Sequence, residues 1–162
     1  ALPVSFPLSP RAVPLGAAVE DALRSVGDEL NARVLRAAMH FADPCPSALA
    51  DAKAIRSVVI NLLQNAAVYA PEGGTVRLTA QAMGPLVRIG IEDDGEGLDP
   101  ALVPRLMQPF EQGENALVRR TEGAGLGWPL VQLLARAMGG RFEVETARGL
   151  GLKAILTLRR AS

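Results

Sequence analysis

The chain has 162 residues, 49% of them hydrophobic, and its 17 basic residues are balanced by 17 acidic ones, for a formal net charge of zero. That length and apolar content suit one domain with a real core and exclude a disordered chain. The absence of a basic excess argues against nucleic acid as the main partner, and a lone cysteine, Cys45, excludes an internal disulfide or a cysteine-based zinc site. No apolar run reaches membrane-spanning length and no signal peptide opens the chain, so no direct membrane contact is expected. The expected setting is cytoplasmic, with any membrane anchor belonging to a longer protein.

Pro3, Pro7 and Pro10 make residues 1–12 read as an extended linker from a missing upstream domain, and a short strand is expected near residues 13–15. Residues 17–32 place Val19, Ala22, Leu23, Val26 and Leu30 on one helical face. Residues 34–42 alternate, with Leu35, Ala37, Met39 and Phe41 opposite Arg36 and His40, which predicts a strand with one wet face. His40 is the only histidine, and its position on a strand reads as structural. Asp43-Pro44-Cys45-Pro46 then breaks the strand.

Residues 51–70 predict a long helix capped by Asp51, with Ile55, Val59, Leu62, Leu63 and Ala66 as its buried stripe. Asn61 and Asn65 lie one turn apart on its flank. Asparagine is a poor helix former, so the pair calls for a reason. Their carbonyl oxygens suit a hard cation such as Mg²⁺, and equally suit tying down a neighbouring loop. A hairpin follows, with strands at 75–82 and 86–92. It ends in Asp93-Asp94-Gly95-Glu96-Gly97, where Asp93 offers a carboxylate to a donor such as an exocyclic amine and the glycines permit close approach of a flat ring. A bare turn has the same residues.

Residues 99–107 predict a short helix with Pro100 at its start, and a long loop runs through Phe110 to Arg119 and Arg120. Gly123, Gly125 and Gly127 then feed a helix whose predicted apolar pattern is Leu126, Leu130, Leu133, Leu134, Ala137 and Met138, stopped by Gly139-Gly140. A glycine loop at a helix N-terminus suits an anion, phosphate above all, although such a loop is also a common turn. Two alternating strands, around Phe142–Val144 and 152–158, close the chain.

Order and spacing carry more than any one motif. Asn-Leu-Leu-Gln-Asn-Ala resembles an N box, Asp-Asp-Gly-Glu-Gly a first glycine box, Pro-Phe-Glu-Gln-Gly an F box and Gly-Ala-Gly-Leu-Gly a second glycine box. Together they resemble the ATP-binding catalytic domain of two-component sensor histidine kinases, within the larger group shared with gyrase, heat-shock chaperones and mismatch-repair ATPases. The resemblance covers about residues 13–160, nearly the whole chain. It implies an α+β fold, a two-layer α/β sandwich of the Bergerat type, with a mixed, mainly antiparallel sheet and three main helices on one face.

By the same resemblance the cofactors are ATP and Mg²⁺. Asp93 would accept from the adenine amine, with Gly95, Gly97 and Tyr69 against the ring. Asn65, with Asn61 nearby, would hold Mg²⁺. Gly123, Gly125, Leu126 and Gly127 would cradle the phosphates, and Phe110 would belong to the lid. Arg119 or Arg120, with Asn61, would be the catalytic candidates. Asn61 stands where hydrolytic relatives resemble a Glu that activates water, which favours a kinase over an ATPase. The expected partners are a dimerisation and histidine phosphotransfer domain of the same kinase, which would carry the acceptor histidine, and a response regulator receiver domain. A degenerate domain acting as a signalling scaffold and an anti-sigma-type serine kinase are the alternatives. The sequence departs from the family's frequent residues at Val68, Ala124, Trp128 and Leu152.

Overall fold

The computed structural model describes residues 8–108 and 127–161. Its middle is the predicted hairpin: β4 (Thr75–Met83) pairs antiparallel with β5 (Leu86–Asp93) in the register Val76↔Asp93, Leu78↔Ile91 and Ala80↔Ile89. The period of two puts these apolar residues on one buried face. The same period carries Asp93, the last residue of β5, to that buried face and leaves Arg77, Glu92 and Asp94 on the other.

Around this hairpin stand β2 (Arg36–Phe41), parallel to β4, and β7 (Leu152–Arg159), antiparallel to β5, with β6 (Arg141–Thr146) antiparallel to β7. The sheet order is β2-β4-β5-β7-β6, mixed and mainly antiparallel. Three main helices cover its apolar face: α1 (Leu15–Ser25), α3 (Ala52–Tyr69) and α5 (Trp128–Ala137). The shorter helices are α2 (Gly27–Ala32) and α4 (Val103–Leu106), the latter entered through a 3-10 turn at Pro100–Leu102. This is the expected two-layer α/β sandwich. Among the described residues no helix is long and apolar enough to cross a membrane.

The long helix α3 forms as its pattern predicts. Asp51 Oδ1 accepts the Ala54 N–H at 2.9 Å, and Ile55, Val59, Leu62, Leu63 and Ala66 are all buried. The other Asp51 oxygen accepts the Ser9 N–H at 2.7 Å, so the cap also ties down the incoming chain, and these two N–H groups hold the Asp51 carboxyl below the ordinary aspartate range.

Several expectations need correction. The helix expected over 17–32 starts at Leu15 and is two helices, broken at Val26, whose side chain turns into the core just before Gly27. The β2 strand does not have one buried face: it is a sheet edge, with Arg36, Ala37, Met39 and His40 all exposed. A strand absent from the sequence reading, β3 (Ser47–Ala50), pairs antiparallel with β1 (Arg11–Pro14). Four residues between Pro46 and Asp51 are too few for a periodic signal, and the pairing is long-range. On α5 the buried residues are Trp128, Val131, Leu134, Ala135 and Met138, whereas Leu130 is 50% exposed and Leu133 39%. That helix is apolar on more than one side, so its pattern does not by itself choose the core face.

Helix α2 ends in a Schellman arrangement, with Leu35 N–H on the Leu30 carbonyl at 2.9 Å and Val34 N–H on the Asn31 carbonyl at 3.0 Å. The left-handed position of that motif is held by Val34, at φ 56° and 64% exposed. A β-branched residue is strained there, and an exposed one loses little when trimmed. Val34→Gly should therefore stabilise the domain by about 1 kcal/mol, read as a higher thermal melting midpoint.

Candidate nucleotide-binding site

The site is assembled from α3, the end of β5 and the start of α5. Asn65 and Tyr69 from α3, Asp93 from β5 and Trp128 from α5 line one narrow cavity of about 10 Å³. It adjoins, through Tyr69, a larger cleft of about 630 Å³. One wall of that cleft is the C-terminal end of α3 with Pro71 and Arg33; the other is the Asp94–Leu98 turn with Gly149. A cleft of a few hundred cubic ångströms suits a small organic ligand.

Asp93 is 4% exposed. Its Oδ1 accepts the Gly95 N–H at 2.7 Å. Burial, helped by the nearby charges of Asp94 and Glu92, raises the carboxyl above the ordinary aspartate range, while the Gly95 bond and Arg77 pull the other way. Its neighbour Asp94 is outside the core, held by the Arg77 guanidinium at 2.6 and 3.2 Å, with Glu92 also on Arg77 at 3.4 Å. Arg77 lowers the Asp94 carboxyl, and the acidic pair raises the guanidinium further. A two-point grip on Asp94 fixes the peptide that follows Asp93 and so the direction of the Gly95 N–H.

The smallness of Gly95 and Gly97 is used by the protein itself. A Cβ on Gly95 would strike the Tyr69 carbonyl oxygen, and one on Gly97, at φ 71°, would strike the Ala147 carbonyl and come within 2.7 Å of that of Gly151. Both glycines also line the larger cleft. Thr146 locks this packing: its hydroxyl donates to the Gly151 carbonyl at 2.7 Å and accepts the Leu98 N–H at 2.9 Å.

Asn65 is buried and its amide nitrogen donates to the Asn61 oxygen at 3.2 Å. The Asn61 nitrogen lies against Gly127, the N-cap of α5, which sits at φ 58°; a Cβ there would collide with it. Asn61 thus packs against the start of α5, and Asn65 lines the narrow cavity. Among the described residues no cluster of three or more His, Cys, Asp or Glu could hold a metal. A cation at these amides would need oxygens from the ligand as well, the usual manner of Mg²⁺ on phosphates.

Of the residues singled out in the sequence, Asn61, Asn65, Tyr69, Asp93, Gly95, Gly97 and Gly127 come together here. Phe110, Arg119, Arg120, Gly123, Gly125 and Leu126 lie outside the described residues. The sequence reading missed Arg33, Thr146 and Trp128 as parts of the site. Arg33 reaches from the α2–β2 connection to donate to the Val68 and Ala70 carbonyls at 3.4 and 2.9 Å, capping α3 at the cleft mouth. Nothing local marks it, because its partners lie 35 and 37 residues further along the chain.

Two outcomes follow. The folded state holds the Asp93 proton more tightly than the unfolded chain, so this group costs stability as pH rises through and above the ordinary aspartate value. Asp93→Asn, which keeps the acceptor for Gly95, should be more stable than wild type at pH 7 in denaturant titrations, with the gain shrinking towards pH 4. Gly127→Ala should destabilise by about 2 kcal/mol or more through its collision with Asn61, measured by thermal melting.

Residues 50–162 match the family described as histidine kinase-, DNA gyrase B-, and HSP90-like ATPase. The chain is 37% identical over 102 residues to histidine protein kinase DivJ of Caulobacter vibrioides, covering 63% of this chain and 17% of that protein. It is 34% identical over 127 residues to the alginate biosynthesis sensor protein KinB of Pseudomonas aeruginosa, covering 78% of this chain and 21% of that one. It therefore spans about a fifth of the length of these curated relatives. Full-length ShkA, solved in complex with AMPPNP, superposes with a TM-score of 0.82 at 29% identity, over 98% of this chain and 33% of that one. The catalytic domain of histidine kinase ThkA superposes with a TM-score of 0.81 at 21% identity, over 94% of this chain and 97% of that one. On this match, the chain belongs to the histidine kinase-, DNA gyrase B- and HSP90-like ATPase family, and its relatives include proteins named as histidine kinases.

Proposed function

We propose that residues 13–162 are the catalytic domain of a sensor histidine kinase. The domain binds Mg-ATP, and the γ-phosphoryl group passes to a histidine on a separate dimerisation domain for relay to a response regulator aspartate. The observation that carries the reading is a buried carboxylate, Asp93, sharing one cavity with Asn65 and Tyr69. A carboxylate left in so dry a place is retained for a donor it can meet there, and an exocyclic amine is such a donor. Bound ATP and Mg²⁺ would supply the transferable group and the charge neutralisation that phosphoryl transfer needs.

The chain's own residues then bind and orient. Asp93 accepts from the base, Tyr69 packs beside it, and Asn65 with Asn61 offers amide oxygens to the cation. Neither asparagine can take a proton from water, so the site is built for positioning rather than for hydrolysis. By the resemblance Gly123, Gly125 and Leu126 would join Gly127 in cradling the phosphates, Phe110 would belong to the lid, and Arg119 or Arg120 would supply positive charge; of these Gly127 is among the described residues. His40 is exposed on the edge strand β2, away from these groups, which supports an acceptor on another domain. Histidine kinase ThkA, solved in complex with response regulator protein TrrA, shares the fold at a TM-score of 0.75 and 19% identity, and its complex supports a partner of this kind.

Isothermal titration calorimetry tests the reading. Wild type should bind one Mg-ATP, Asp93→Ala should lose affinity at least about tenfold (roughly 1.4 kcal/mol), and Asn65→Ala should lose the dependence on Mg²⁺. No binding by wild type would replace the kinase with a scaffold. With radiolabelled ATP the isolated chain should carry no label on His40.

A further inference from the structure

Asp93 and Arg77 point to opposite faces of one sheet. Val76 and Leu78 are buried in the core, so the period of two sends Arg77, between them, to the other face. There Arg77 stands in register with Glu92 of β5, Glu92 with Lys153 of β7, and Lys153 with Glu145 of β6. Charges of alternating sign thus cross the sheet in one row, an arrangement in which neighbours attract. The Glu92 contact at 3.4 Å leads the Arg77 side chain towards the end of β5, where its fork closes on Asp94 at 2.6 and 3.2 Å.

The turn that follows Asp93 is secured at both ends by backbone packing. Asp93 is paired with Val76 on one side and Leu152 on the other. Gly97 lies against the Ala147 carbonyl, and Thr146 accepts the Leu98 N–H at 2.9 Å. Asp94 is in between, with its side chain 54% exposed, and the hold on it comes from Arg77. Its peptide ends in the Gly95 N–H, which donates to Asp93 Oδ1 at 2.7 Å. Movement at Asp94 therefore reaches the buried carboxylate through one peptide unit.

We propose that Arg77 is a positioning residue for nucleotide binding: from the far face of the sheet, its fork on Asp94 keeps the Gly95 N–H, and with it the Asp93 carboxylate, in the arrangement that receives the base. The inference rests on the nucleotide reading above. Arg77 lines neither the narrow cavity nor the larger cleft, so it acts through Asp94 and not on the ligand. A half-exposed ion pair adds little to global stability, but a planar two-point fork restricts rotation as a single ammonium contact does not. Without the fork the turn samples other orientations. The apparent affinity then falls in proportion to the time spent in the competent one.

Calorimetry with Mg-ATP and amide hydrogen exchange test the proposal. Arg77→Gln should bind Mg-ATP about fivefold more weakly than wild type, as for a turn that is competent about a fifth of the time. Arg77→Lys keeps the charge without the fork and should lose about threefold. In an Asp94→Ala background, Arg77→Gln should cost nothing further, because the two residues act as one unit. Arg88→Gln is the control: Arg88 is on the same face, its Nε meets no acceptor among the described residues, and its loss should leave the affinity within about twofold of wild type. In the ligand-free protein, Arg77→Gln should speed exchange of the Gly95 amide about tenfold and leave the Ile89 and Ile91 amides unchanged, with a melting midpoint near that of wild type. Either Arg77 variant binding Mg-ATP as tightly as wild type overturns the proposal. So does a further full loss in the Asp94→Ala background, or weaker binding with general fast exchange and a lowered midpoint, the behaviour of a merely structural residue. If wild type binds no Mg-ATP, the nucleotide reading has failed and the proposal falls with it. Wild-type binding with an unaffected Arg77→Gln removes the proposal alone.

Discussion

Burying a carboxylate without a cation is unfavourable, and the arrangement around Asp93 is organised by that cost. The residue closes a strand whose alternation leaves it no choice of face: Val76, Leu78 and Ile91 point inward, and Asp93 points with them. Among the described residues it accepts a hydrogen bond from the Gly95 N–H. The natural counterion, Arg77, is on the opposite face and is spent on Asp94 and Glu92. Asp93 is thus kept available, and the turn after it is kept rigid by the very arginine that does not neutralise it.

The turn is then welded to the sheet by contacts too close for any side chain. Gly97 packs on the backbone at Ala147 and Gly151, Gly151 packs on Asp93, and Thr146 bridges the two segments by hydrogen bonds. On the other side α3 brings Asn61 and Asn65, and Asn61 meets Gly127, the N-cap of α5. Two of the departures from the family's frequent residues, Trp128 and Leu152, line the same small cavity. Leu152 is the cross-strand partner of Asp93.

The amino-acid sequence by itself determined the elements with long, clean periods: α3 with its Asp51 cap, the β4–β5 hairpin, the last strand, and the stop at Gly139-Gly140. These signals are local, because helix and strand periods reflect which face each residue must bury. The candidate polar residues of the site were also legible, since Asn in a helix and Asp-x-Gly-x-Gly at a strand end each contradict local preference. Only the tertiary structure decided the rest. It decided which apolar side of α5 is core, that β2 is an edge, that β1 and β3 pair, that Arg33 lines the cleft, that Trp128 lines the narrow cavity and that Thr146 braces the turn beside them. Those outcomes depend on contacts between residues far apart in the chain, where no neighbouring residue carries the signal and packing overrides local pattern.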